Sequence, residues 1–535
     1  MSGIGDIELI LLLLLLLIAA FGLLAQRLGL PYPIVMVVGG LLISFVPGIP
    51  NVRLHPDLVF LVVLPPVLYM SAWTTSWRDF RYNIVSILLL AFGLVGFTVT
   101  AVALVAPLVF EGFDWRLGFV LGAIVAPTDA IAATSIARRI GLPRRIVDVL
   151  EGESLVNDAS GLLALQFATG IMVRNQVPTL SDGLGTLVWL IAGGILLGLA
   201  VGWFVDRLER LIEDGPIEIT ISILIPYAVY LAADRIGASG VLAVVSCGLF
   251  LSRRSSSFFS PEVRLRIWSV WESLNFVLNG FVFILIGFQL PAIRSAIQGH
   301  SLPRLLLEGA IFSGLLILLR LVWVFPGTRV AWLIRRHIQG QKDGFPPLRN
   351  IFVLGWTGMR GIVSLAAALA LPAMLADGTP FPNRDMMVFL TFSLIFVTLV
   401  LQGITLPPLI RSMGLAGAAG PNCEELEARR IVIAAAVSHL ESAKEQDNQE
   451  YAELYEDLTH HYAQRLASLQ EGDDDDDGNS ASHGRHIELT LEALRVERET
   501  AIRLRDEGRI NDEVLRRLER ELDLNESRIV TIQEE

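Results

Sequence analysis

Long apolar runs, separated by short polar breaks, fill the first 412 residues. Crossing ~30 Å of hydrocarbon takes roughly 17 to 25 apolar residues, and that yardstick picks out about thirteen helical spans. They fall near 4–25, 30–46, 58–73, 84–110, 117–137, 146–173, 184–208, 217–233, 240–251, 268–293, 305–334, 351–374 and 386–410. The break "ADRIGASG" between the eighth and ninth spans predicts a very tight turn. Beyond residue 414 the long apolar runs stop. Residues 424–470 and 487–530 instead show helical apolar spacing with many Glu–Arg pairs three or four apart, which predicts soluble helices. Between them, "EGDDDDDGNSASHG" combines a like-charge run with small polar residues and predicts a disordered linker near 471–486.

Composition agrees with this partition. The chain is 53% hydrophobic and 18% charged, with a mean hydropathy of +0.57, which a soluble globular composition does not reach. The fold class expected is therefore an all-α polytopic membrane protein with a helical cytoplasmic tail. The first apolar block has acidic neighbours, Asp6 and Glu8, and no basic flank or small-residue cleavage site, so it reads as a membrane helix rather than a cleaved signal peptide. Cys247 lies in an apolar run and Cys423 in the tail, and neither suggests a disulfide framework or a thiolate metal site. No nucleic-acid partner is expected.

The charge is unevenly spread. Residues 421–535 carry 30 acidic and 14 basic residues, a net of −16, whereas the remainder is net +4. With the C-terminus cytoplasmic, about 18 basic loop residues fall inside against about 7 outside, so the N-terminus is expected outside and the chain in the cell membrane. Two domains follow: a membrane domain, 1–412, and an acidic cytoplasmic domain, 413–535.

Ionisable groups within membrane helices cost ~2.5 to 3.5 kcal/mol each on insertion scales, which makes them functional candidates. Three segments contain them. In "GAIVAPTDAIAATSIARR" (122–139), Pro127 should open the helix beside Thr128 and Asp129, exposing carbonyls that are tolerated only in a polar or protein-lined setting. In "EGESLVNDASG" (151–161), residues four apart share a face, so Ser154 lies over Asp158 and Glu153 over Asn157. Ser154 and Asp158 offer hard oxygen ligands to a small cation, while Glu153 and Asn157 can hold a neighbouring element. In "GWTGMRGIVSLAAALALP" (355–372), three glycines interrupt a helix around Arg360, whose charge needs a partner; Glu153 is the partner expected. Two interrupted helices, near 122–137 and 355–372, each second in a triplet of spans, point to a transporter with repeated halves and a midplane site. Secondary candidates are Asp234, near a membrane edge, and Glu272 in "WESLNFVLNG", for which interhelical hydrogen bonding is the plainer reading.

The segments 61–73, 122–168, 230–252 and 356–372 together resemble the sodium/proton exchanger family, which includes bacterial NhaP-type antiporters and animal sodium/hydrogen exchangers. The resemblance spans roughly 5–412, with "GESLVND" and "GMRG" its most specific parts. It implies an inverted-repeat antiporter fold with two crossing interrupted helices, a homodimer, and a core moving as an elevator. It also implies that Asp158 binds either Na+ or a proton, completed by Ser154, Asp129 and the Thr128 carbonyl. Glu153, Asn157 and Arg360 would form the supporting polar cluster, and Pro65, Pro66 and Asp234 match further family positions. Here the proline precedes the unwound pair, as Pro127-Thr128-Asp129, and the second pair reads Asn157-Asp158, the version that in the family accompanies electroneutral one-for-one exchange.

The function expected is exchange of Na+, or of Li+ or K+, for H+ across the cytoplasmic membrane, serving pH homeostasis, with no cofactor beyond the transported ions and no enzymatic step. Potassium/proton antiport is the near alternative. An intramembrane aspartyl protease using Asp129 and Asp158, or a cation channel, are the alternatives from other classes.

Overall fold

Helix starts and breaks in this chain follow from a few side chains. Asp114 accepts from the Leu117 amide (2.8 Å), Asp214 from Ile217 (3.3 Å) and Ser239 from Leu242 (3.3 Å), each satisfying an otherwise orphaned donor at a helix N-terminus. The computed structural model describes residues 4–47, 54–174, 180–212, 214–259, 261–297, 301–341, 344–375, 378–417, 423–446, 452–468, 492–504, 507, 518 and 522–526. Among these residues no strand forms, apart from one isolated bridge between Met374 and Pro380. The chain divides into two units, Met1–Ala419 and Gly420–Glu535.

In the first unit α1 (Ile4–Leu28) and α2 (Tyr32–Ile43) lead to a π segment, Leu58–Val63, that runs into α3 (Leu64–Thr74). Pro65 and Pro66 lack amide hydrogens, so the carbonyls one turn before them lose their helical partners. The Tyr227 hydroxyl donates to one of these, the Val62 carbonyl, at 3.0 Å. Next come α4 (Trp77–Leu88), a π segment Leu89–Leu94, α5 (Val95–Val109), α6 (Trp115–Val125), α7 (Ala130–Ile140), α8 (Arg144–Arg174) and α9 (Leu180–Glu209). The Ser160 hydroxyl of α8 donates to the Ala91 carbonyl in that π segment, tying the two elements together. The chain continues through α10 (Gly215–Arg235), α11 (Gly240–Phe258), α12 (Pro261–Ala296), α13 (Leu302–His337), α14 (Leu348–Trp356) and α15 (Ile362–Leu369). It ends in α16 (Arg384–Val397), a third π segment Thr398–Gln402, and α17 (Gly403–Ser412).

Among the described residues, eight helical stretches are long and apolar enough to cross a membrane by length and composition. The other segments of the expected thirteen are helical too, but are shorter, interrupted or more polar: α2, α3, α8, α11 and the α14–α15 pair. The break at 236–239 is as tight as the sequence requires, with Gly237 at φ +66° and Ser239 capping α11. Close backbone approach needs glycine where α2 crosses α12: a Cβ on Gly40 would meet the Ile284 backbone.

In the second unit, α18 (Cys423–Gln446) packs on α19 (Ala452–Ser468), where Lys444 meets Glu456 at 2.7 Å. That ammonium holds the Glu456 carboxyl below its usual value. Arg498 reaches Asp523 (2.7 Å) and Glu526 (2.5 Å), folding the end of the chain back on itself. The expected linker at 471–486 lies outside the described residues.

Candidate cation-binding site

Both expected helix breaks are present, and they meet. After α6, residues 126–129 are non-helical, and Asp129 is extended, with a carboxylate that accepts from the Ile131 amide (2.8 Å) and so starts α7. Between α14 and α15, residues 358–361 are non-helical. The two breaks cross through a backbone bond, Asp129 N–H to the Met359 carbonyl at 2.9 Å. Here the glycines of "GMRG" acquire a steric reason. A Cβ on Gly361 would fall on the Asp129 carboxylate, and one on Gly358 on the Arg320 side chain. Gly361 is extended, a conformation open to any residue, so its requirement is space alone. Gly361→Ala should therefore displace Asp129 and cut transport at least tenfold while leaving the protein foldable, read as initial flux per reconstituted protein against melting temperature.

Against this crossing lies α8. The Thr128 hydroxyl donates to Glu153 Oε1 (3.0 Å), Asn157 Nδ2 donates to the Thr128 hydroxyl (2.5 Å), and the Ala130 amide donates to Ser154 Oγ (3.3 Å). Glu153 and Asn157 are each 1% exposed. Two stripes of one helix thus have separate contacts: Glu153 and Asn157 grip the Thr128 break, while Ser154 and Asp158 face a cavity of about 450 Å³. Asp158 is 8% exposed, and among the described residues no group donates a hydrogen bond to its carboxylate. Thr128 and Asp129 also line that cavity, so the four expected ligand residues converge on one space.

The expected partner of Glu153 is corrected. Arg320, from the middle of α13, holds both carboxylate oxygens, with Nη1 to Oε1 at 2.5 Å and Nη2 to Oε2 at 2.8 Å. Its Nη2 also donates to the Leu354 carbonyl (3.3 Å) in the last turn of α14, where the helix dipole favours a cation. Arg320 wins because glycine at 358 leaves room for its side chain beside the break. Arg360 is buried nearby, its amide bonded to Thr398 Oγ1 (3.1 Å), while its Nε and Nη1 meet no partner among the described residues. Sequence reasoning missed Arg320, although "LLILLRLVWVF" carries the very signal used elsewhere, a charge inside an apolar span.

The secondary candidates separate. Asp234 is exposed at the C-terminal end of α10 and does not line the cavity. Glu272 does line it, from α12, together with Asn275 and Asn279. Arg138 and Glu151, paired at 2.6 Å, sit at the outer part of the same space, where Arg138 is 62% exposed.

The sodium/hydrogen exchanger transmembrane family profile matches residues 11–412. The chain belongs to the sodium/hydrogen exchanger family. It is 31% identical over 515 residues, 95% of its own length and 93% of the relative's, to an uncharacterised Na+/H+ exchanger of Mycobacterium tuberculosis. It is also 31% identical over 452 residues to a sodium, potassium, lithium and rubidium/H+ antiporter of Bacillus pumilus, covering 82% of this chain and 66% of that one. The fold is that of the sodium proton antiporter MjNhaP1 from Methanocaldococcus jannaschii, at a TM-score of 0.58 and 19% identity over 76% of this chain and 99% of that structure. Relatives in this family are cation/proton antiporters, which are transporters rather than enzymes. The exchanger assignment covers the described helices that carry the crossing and the cavity.

Proposed function

We propose that this protein exchanges Na+ for H+ across the cell membrane, one for one, by competition at Asp158. The observation that carries the reading is the charge of the buried crossing. Asp129, Glu153 and Asp158 bring three carboxylates, and Arg320 and Arg360 bring two guanidinium groups; Asp129 is half-buried and the other four are buried. With every group ionised the core is net −1. One monovalent cation or one proton brings it to zero, and either loaded form can cross apolar surroundings at low cost. The empty, charged form is costly to move, so transport in one direction requires return with the other ion.

Asp158, Ser154 Oγ, Asp129 and the Thr128 carbonyl form an all-oxygen ligand set suited to a hard cation. Glu153, Asn157 and Arg320 hold the Thr128 break in place through the bonds described above. The cavity parts α3 and α12 from α7, α8 and α15, which suits an elevator in which the crossing helices slide against α3 and α12 within a homodimer. The basic-residue bias supports a cytoplasmic C-terminus. Arg145, Arg207, Arg254 and Arg336 stack on Tyr82, Trp203, Phe250 and Trp332 at ends assigned to that side.

The broader cation range in the name of the Bacillus pumilus relative favours a second reading, in which K+, Li+ or Rb+ is also carried. The test is dissipation of an imposed pH gradient in proteoliposomes by each alkali cation. Saturable, cation-dependent proton movement is expected with Na+; movement that does not saturate would point to a channel, and none with any alkali cation would refute the proposal.

A further inference from the structure

The cavity holds four carboxylates, and they are not equivalent. Asp129 accepts from the Ile131 amide and Glu151 is paired with Arg138. Asp158 and Glu272 have no hydrogen-bond or ion-pair partner among the described residues. Asp158 is nearly buried, whereas Glu272 is exposed to solvent within the same space. They stand on different walls, Asp158 on α8 and Glu272 on α12. From Glu272 a polar stripe runs along α12, since Asn275 and Asn279 follow at spacings of three and four and so share its face. The two amides are joined, Asn279 Nδ2 to Asn275 Oδ1 at 2.9 Å, and Asn279 is 3% exposed. The stripe thus passes from an exposed carboxylate to a buried amide over about 10 Å of helix rise.

We infer that Glu272 is a recruiting carboxylate, which draws the hydrated cation into the cavity and passes it along Asn275 and Asn279 toward Asp158. An unpaired charge at a water-filled mouth raises local cation concentration without demanding dehydration, while the buried carboxylate supplies the site where water is shed. Interhelical hydrogen bonding, the plainer role for such a residue, is not what Glu272 does here: Asn275 and Asn279 bond to each other and the Glu272 carboxylate faces the cavity. Because Glu272 belongs to α12 and Asp158 to α8, its influence depends on which way the crossing helices are displaced. It should serve the face onto which the cavity opens and leave the other face alone.

This inference rests on the exchange reading, and its test separates the two. Apparent KM and Vmax for Na+ are measured from each face, in right-side-out and inverted vesicles, for wild type, Glu272→Gln and Glu272→Asp. Loss of one charge near a solvated cation is worth ~1 kcal/mol, so Glu272→Gln should raise KM about fivefold on one face, with Vmax and the opposite-face KM unchanged. Glu272→Asp should restore most of the affinity. An unchanged KM on both faces, an equal rise on both, or a fall in Vmax alone would overturn the role while leaving exchange by the wild type intact. Absence of exchange in the wild type would instead overturn the underlying proposal.

Discussion

Asp158→Asn is expected to abolish exchange, to the rate of protein-free vesicles, while the protein folds, inserts and melts close to wild type. The substitution is nearly isosteric and removes a charge that meets no hydrogen-bond donor among the described residues, so little native bonding is lost. What disappears is the single unbalanced charge of the core. Asn cannot release a proton, and without its charge the site has two carboxylates against two guanidinium groups. The core is then neutral while empty, and binding Na+ would leave it charged and costly to move. Pairing reconstituted flux with a thermal melt of the same preparation checks this. Robust Na+-driven proton movement by a well-folded Asp158→Asn protein would be incompatible with competition at that carboxylate.

Arg320→Met is expected to have the largest effect on stability. It strands Glu153, which is 1% exposed, with only the Thr128 hydroxyl as hydrogen-bond partner among the described residues, and removing one member of a buried ion pair costs about 3 to 5 kcal/mol. The break at Thr128 should loosen with it, because Glu153 is what the Thr128 hydroxyl donates to. The double variant Glu153→Gln with Arg320→Met removes both charges, and most of the melting temperature should return. Arg360→Ala is a contrasting case. Arg360 does not hold Glu153, so its loss should leave the Glu153–Arg320 contact intact and act on transport by changing the core's charge to −2. A larger stability loss for Arg360→Ala than for Arg320→Met would contradict the pairing.

The crossing of the two breaks was legible because its causes are local. Pro127 cannot donate, and Gly355, Gly358 and Gly361 weaken the helix around Arg360, so both interruptions announce themselves in a few residues. The two stripes of α8 were legible as well, since helical period alone puts Ser154 over Asp158 and Glu153 over Asn157. Pairing across helices was not. Glu153 could have met any membrane arginine, and the choice of Arg320 over Arg360 depends on space left by a glycine two residues before Arg360 and on the C-terminal turn of α14. The π segments were likewise hidden, because they arise where prolines or tertiary contacts draw carbonyls out of the helical ladder. Asp234, at a membrane edge, and Glu272, on an apolar helix where interhelical hydrogen bonding is the plainer reading, were both secondary candidates in sequence. Only the packing of α12 against the cavity and the exposed end of α10 tells them apart.

The central claim is that Na+ and H+ exclude each other at one carboxylate. Its most direct test is the number of protons released per Na+ bound, obtained by titration calorimetry of the purified protein in buffers of different ionisation enthalpy. At a pH where the free site is protonated, the account predicts one proton released per Na+ in wild type and no proton release in Asp158→Asn. Na+ binding to the wild type without proton release, or the same release from the variant, would contradict it.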